Sequence, residues 1–132
     1  DHFESLYESL EAAAANQLLR SIATSLKRSL RKSCFVAMLG GPTFAVLCPG
    51  MDQNAGSAIG NRLRTLISEQ QITLPDGLTW RLTASIGVAS SFEDGPDCDR
   101  VMALSEQRLK TARQTGRDRV VDGDSKSNRR AG

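Results

Sequence analysis

The sequence predicts an α/β domain: one sheet of mixed strand direction with a β-hairpin, covered by helices in two or three layers. Three observations predict it. Residues 17–32 place apolar side chains at helical spacing, and two short apolar runs flank a Gly-Gly-Pro turn. The remaining apolar segments then alternate, so that the whole order reads helix, hairpin, helix, strand, helix, strand. At 132 residues the chain has the size of one domain and needs no disulfide framework to bury a core.

Each element has its own signal. Residues 3–32 contain neither Gly nor Pro, and Leu18, Leu19, Ile22, Ala23, Leu26 and Leu30 define a helix over 17–32. Phe3, Leu6, Tyr7 and Leu10 repeat the pattern upstream. The Ala-rich stretch 11–15 favours helix and carries no stop signal, so one long helix and two shorter ones both stay open. Strands are expected at 34–39 and 43–48, with Gly40 to Pro42 at the hairpin tip. Asp52 is a candidate N-cap for a helix to Gln70, with Ala55, Ile59, Leu63, Leu66 and Ile67 on one face. Pro75-Asp76-Gly77 marks a turn. Leu78 to Ser90 reads as one strand containing Gly87, its later part buried beside the hairpin, and Phe92 to Pro96 as a loop. Asp97 or Asp99 caps a helix over 101–114, which Gly116 ends in the left-handed region before a short strand at Val120-Val121. From Asp122 the composition turns to Ser, Asn, Gly and charge, so a domain over 1–121 and a disordered tail or linker over 122–132 are expected.

Composition removes several function classes. Hydrophobic residues make up 39% and charged residues 24%, which fits neither a disordered chain nor a membrane protein. The longest uncharged stretch, Ser33 to Met51, is broken by Gly-Gly-Pro and cannot be a spanning helix, so no membrane contact by this segment is expected. The first eleven residues are acidic, unlike a secretory leader. A net charge of +2 is too small to argue for nucleic acid. Cys34, Cys48 and Cys98 are odd in number and lack C-x-x-C spacing, which excludes a cysteine zinc module; Cys34 and Cys48 read as small core residues of a cytoplasmic protein. The one histidine, His2, supports neither a metal site nor a Ser-His or Cys-His nucleophile.

Five segments carry a family resemblance. Leu39-Gly-Gly-Pro-Thr-Phe-Ala-Val-Leu-Cys-Pro49 resembles the signature hairpin of GGDEF domains, the diguanylate cyclase family. Asp1-His2-Phe3 is similar to that family's D-x-D-H-F-K stretch, Leu30-Arg31 to the L-R before its hairpin, and Thr83-Ala-Ser-Ile-Gly-Val-Ala89 to its T-x-S-I-G-V-A strand. Arg113-Gln-Thr-Gly-Arg-Asp-Arg-Val120 is similar to its closing A-K-x-x-G-R-N-R-V. The resemblance runs from Asp1 to Val121 and implies a nucleotidyl-cyclase-like mixed sheet. The family's first strand would precede Asp1, so a parent protein extending upstream is expected.

The resemblance also implies a chemistry, and this chain departs from it. Family members join two GTP molecules into cyclic di-GMP with divalent metal held by carboxylates. Here Pro42 and Thr43 stand at the two acidic positions after Gly40-Gly41. Tyr7 stands at the guanine-reading Asn, Asn16 at a later guanine-reading Asp, and Glu11 to Ala15 replaces a Gly-His-x-x-Gly loop. Arg113 and Arg117 stand at phosphate-contacting cations, or simply complement a helix C-terminus. Of the product-inhibition site, Arg31 and Arg62 persist while Cys34 replaces an acceptor Asp. A solvated basic face over Arg20, Lys27, Arg28, Arg31 and Lys32 is the stronger reading of that helix.

These departures lead to the expectation of a degenerate GGDEF domain without cyclase activity. It would serve as a regulatory or dimerising module in bacterial cyclic di-GMP signalling, in the cytoplasm or in the cytoplasmic part of a membrane-anchored protein. Its partners would be other domains of the parent and a second copy. No cofactor is expected, and Mg²⁺ only alongside GTP. The alternatives are a nucleotide receptor for cyclic di-GMP or GTP, and a cyclase that keeps activity despite the altered site.

Overall fold

A computed structural model describes residues 1, 10–40, 42–73, 77 and 79–123. Among them are helix α1 (Ala12–Ser29), the strands β1 (Phe35–Met38) and β2 (Phe44–Leu47), and helix α2 (Gln53–Ser68). They are followed by β3 (Gln71–Thr73), β4 (Thr79–Arg81), β5 (Ser85–Gly87), the short helix α3 (Ser91–Asp94), helix α4 (Cys98–Gln114) and β6 (Arg119–Val121). Strands pair both antiparallel and parallel, so the α/β class with mixed strand directions holds, but among the described residues they form three two-stranded sheets rather than the one sheet expected, because each short strand pairs with a single partner. No helix among the described residues is long and apolar enough to cross a membrane. The chain divides into two compact units: Asp1 with Gly50–Thr65 and Thr83 onward, and His2–Pro49 with Leu66–Leu82.

In the second of these units, α1 packs against β1 through Ala15, Leu19, Ile22 and Leu26, all buried. Their spacing repeats once per helical turn and leaves the basic residues on the outside. The helix begins at Ala12, earlier than the apolar period alone predicts, because four alanines extend it upstream. It ends at Ser29, where Leu30 turns extended and Cys34 N–H donates to the Arg31 carbonyl at 3.0 Å. The upstream helical pattern at residues 3–10 falls almost entirely outside the described residues. β1 and β2 form the expected antiparallel hairpin, with Val36 opposite Val46.

β3 and β4 form a second hairpin, with Ile72 opposite Trp80. Two expectations change here. Gln71–Thr73 is a strand although Gln-Ile-Thr is too short to show a period. The expected single strand from Leu78 to Ser90 is two strands, β4 and β5, separated at Leu82–Ala84, and they pair with different partners.

In the first unit, β5 and β6 run parallel, with Ile86 opposite Val120, and α4 packs against both. The residues of β5 are half-buried, and β6 rather than the hairpin is its partner. Gly87 makes the packing possible. A Cβ there would stand 2.1 Å from the Ser105 carbonyl oxygen and 2.3 Å from the Leu109 nitrogen, both helix backbone. Asp52 caps α2 by accepting from Ala55 N–H at 2.9 Å, and Asp97 caps α4 by accepting from Asp99 N–H at 2.9 Å. Asp122, the first residue of the expected tail, accepts from Ser57 Oγ at 2.6 Å.

The loop expected at Phe92 to Pro96 contains α3, which links two helices. Glu93 accepts from the Gln53 N–H that opens α2, at 3.1 Å. Asp94 meets Arg108 of α4 in a bidentate pair, Nη1 to Oδ2 at 2.9 Å and Nη2 to Oδ1 at 3.0 Å. Arg108 Nη1 also donates to the Val88 carbonyl at 2.9 Å. Both side chains are largely buried, at 9% and 13% exposure, so the pair is shielded from water and salt.

The hydrogen bond from Arg108 is the main cause that holds Asp94 below its ordinary value of 3.8; burial acts in the opposite direction. A carboxylate whose folded pKa is depressed contributes stability above its unfolded value and loses it as pH falls through the folded value. Acid denaturation below the unfolded value of 3.8 should therefore be shallower in Asp94→Asn, which starts less stable at neutral pH. Denaturant midpoints across the acid range check this, and equal slopes for the two proteins would refute it. Gly87→Ala should lower stability by roughly 1–3 kcal/mol or more, because helix backbone must move to admit the methyl group. Urea unfolding reads the change, and an unchanged midpoint would contradict the packing described.

Candidate functional site

Helix α4 ends in a way that builds a site. Thr115 caps it, Gly116 follows at φ +129°, and Arg117 N–H donates back to the Ala112 carbonyl at 2.9 Å. Arg117 and Asp118 then both take left-handed backbone, at φ 63° and 46°. For non-glycine residues this costs about 1–2 kcal/mol each, and the contacts of the turn must offset it.

Those contacts converge on Asp1. Its Oδ2 accepts from Thr83 Oγ1 at 2.9 Å and from Asp118 N–H at 3.1 Å. Its Oδ1 accepts from Ser85 Oγ at 2.7 Å and faces Arg117 Nη1 at 3.6 Å. The Asp1 nitrogen donates to the Thr83 carbonyl at 2.8 Å. The side chain is only 2% exposed, so these donors take the place of water around a buried carboxylate. Asp118 pairs with Arg64 of α2 at 3.0 Å, in an exposed position worth little.

The other residues singled out in the sequence are distributed as follows. Gly40, at φ +107°, accepts from Thr43 N–H at 3.3 Å, and Thr43 in turn accepts from Leu39 N–H at 2.9 Å. Pro42 is exposed at this tip, and Gly41 lies outside the described residues. Asn16 is exposed on α1, and Tyr7 lies outside the described residues. Arg113 is exposed in the last turn of α4, and Arg62 is exposed on α2. Arg31 is exposed in the turn before β1, whereas Cys34 is fully buried.

Asp1, Thr83, Ser85, Arg117 and Asp118 are thus brought together, with Arg113 in the last turn of α4 just before them. Among the described residues no three His, Cys, Asp or Glu side chains gather as a metal-binding group. Sequence reasoning gave Asp1, Thr83, Ser85 and Asp118 no role. The available signal was Thr83 and Ser85: two hydroxyls on one face of an otherwise apolar strand call for a buried acceptor.

Comparison with known proteins sets this geometry in context. The family model described as "Diguanylate cyclase, GGDEF domain" matches residues 1–119. The chain is 32% identical over 120 residues to diguanylate cyclase DgcP of Pseudomonas aeruginosa, covering 91% of this chain and 18% of that protein. It is 29% identical over 126 residues to the uncharacterized protein YhcK of Bacillus subtilis, covering 96% of this chain and 35% of that protein. It therefore spans about a third or less of these relatives. The fold matches the crystal structure of the GGDEF domain of YfiN (TpbB) from Pseudomonas aeruginosa with a TM-score of 0.80 at 26% identity, covering 94% of this chain and 78% of that one.

Replacing Asp1 by Ala leaves two hydroxyls, an amide and a guanidinium without their common acceptor. The loss expected in chemical denaturation is on the order of 2–4 kcal/mol, and Asp1→Asn should lose less. Equal stability of Asp1→Ala and the parent would show that the cluster holds nothing together.

Proposed function

The chain belongs to the diguanylate cyclase GGDEF domain family, and from that premise we propose that it is a non-catalytic member, a regulatory or dimerising module of a longer cyclic di-GMP signalling protein. Pro42 carries the reading. It follows Gly-Gly, where the family resemblance puts a metal-binding carboxylate, and it has neither a side-chain oxygen nor an N–H. Thr43 is neutral, and its backbone groups are engaged in closing the turn.

The buried Asp1 carboxylate offers no substitute. Both oxygens of Asp1 are taken by Thr83, Ser85, Asp118 and Arg117. Neither Pro42 nor Thr43 supplies a carboxylate for a divalent metal at the hairpin tip.

One observation favours a second reading, a nucleotide receptor. Arg113 is exposed in the last turn of α4, and Arg117, 42% exposed, follows four residues on and faces Asp1. Two such cations can hold a phosphate, but they do not choose a base. Cyclic di-GMP binding through Arg31 and Arg62 has less support, because Cys34 is enclosed.

Purified protein given GTP and Mg²⁺ should form no cyclic di-GMP by liquid chromatography. Product formation that Thr43→Ala abolishes would overturn the non-catalytic reading. Calorimetry with GTP and with cyclic di-GMP separates the two remaining roles. Silence toward both supports the module, and saturable GTP binding lost in Arg113→Ala supports the receptor.

A further inference from the structure

Strands β1 and β2 pair with Phe35 opposite Leu47 and Met38 opposite Phe44. Continuing this register outward by one residue sets Cys34 opposite Cys48. Opposed residues of an antiparallel ladder share a face, so both sulfurs lie on the side of Val36 and Val46.

The backbone hydrogen bonds fix what kind of pair this is. Leu39 N–H donates to the Thr43 carbonyl at 2.9 Å, which makes Leu39 and Thr43 a hydrogen-bonded pair. Alternation then makes Phe35 and Leu47 hydrogen-bonded, and Cys34 and Cys48 the closer, non-hydrogen-bonded kind, with Cα atoms about 4.5 Å apart. Cys34 fits this assignment. Its N–H donates to the Arg31 carbonyl at 3.0 Å and its carbonyl accepts from Lys27 Nζ, so neither group is directed across the hairpin. A disulfide needs a Cα separation of about 4.4–6.8 Å. Both cysteines are reduced, Cys34 buried and Cys48 half-buried, while Cys98 belongs to the other compact unit.

We propose that Cys34 and Cys48 form a redox pair that closes the foot of this hairpin with a disulfide when the domain meets a hydroperoxide. The more accessible sulfur, Cys48, attacks the peroxide as thiolate. An S–O bond forms, the O–O bond breaks, and the alcohol (water, from hydrogen peroxide) leaves, giving the Cys48 sulfenic acid. Cys34 thiolate then attacks that sulfur. The S–S bond forms, the S–O bond breaks, and hydroxide departs as water with the proton that Cys34 gave up. Two thiols and one hydroperoxide thus yield one disulfide, one alcohol and one water, with two electrons passing to the peroxide. The bond ties together both ends of the segment that carries Gly40, Pro42 and Thr43, and it fixes the hairpin register against slippage. It does not depend on whether the domain binds a nucleotide.

The test treats reduced protein with hydrogen peroxide, alkylates the remaining thiols, and maps the digest without reductant. The expected result is one alkylated thiol, Cys98, and a peptide in which Cys34 is joined to Cys48, within one chain. The midpoint of thermal unfolding should rise by several degrees and return on reduction. Cys98→Ser should behave the same way, and Cys48→Ala should show neither the link nor the rise. Alkylation of all three thiols after peroxide, a link between Cys34 and Cys98, or a dimer joined through Cys48 would each overturn the proposal.

Discussion

Helix α4 crosses strand β5 where Gly87 leaves room for no more than a hydrogen atom, and the first unit is arranged around that approach. With the Ser105 carbonyl 2.1 Å from where a Cβ would stand, the helix axis is fixed over the strand. Arg108, in the next turn, is thereby placed to reach the Val88 carbonyl and Asp94 together. The helix then ends at Gly116, and the chain reverses through Arg117 and Asp118 into β6, parallel to β5. The buried ion pair, the parallel strand pair and the carboxylate cluster all follow from one helix-to-strand distance.

Much of this fold was legible because its signals are local. The apolar period of α1, the Gly-Gly-Pro tip between β1 and β2, the caps at Asp52 and Asp97 and the stop at Gly116 each sit within a few residues of what they determine. What escaped depends on partners distant in sequence. Leu78 to Ser90 shows continuous strand character, but β4 pairs with β3 and β5 with β6, so the run divides at Leu82–Ala84. Nothing within the run marks that division. Gln71–Thr73 becomes a strand only because Thr79–Arg81 returns beside it. In the same way α3 forms where Ser90 and Asp94 exchange contacts, since Ser90 N–H donates to the Asp94 carboxylate at 3.0 Å.

The site divides along the same line. Substitutions at named positions, Pro42 and Thr43 above all, could be read directly as loss of carboxylates. The role of Asp1 could not, because its donors come from residues 83, 85 and 118. Arg108 looks in the sequence like one more surface cation near a helix C-terminus, yet it is among the few buried charged residues. Its partner, Asp94, lies on the short helix α3, fourteen residues away in sequence. Cys34 is the mixed case. Composition correctly marks it as a small core residue, while its position opposite Cys48 exists only once the hairpin register is known.

The cluster at Asp1 has an architectural meaning too. It brings the backbone at residue 118 within 3.1 Å of the Asp1 side chain, so segments far apart in sequence meet at a single carboxylate. The carboxylate thereby ties residues 83 and 85 of the strand region to the turn at residue 118. A displacement of Asp1 is therefore felt at once in the turn that carries Arg117.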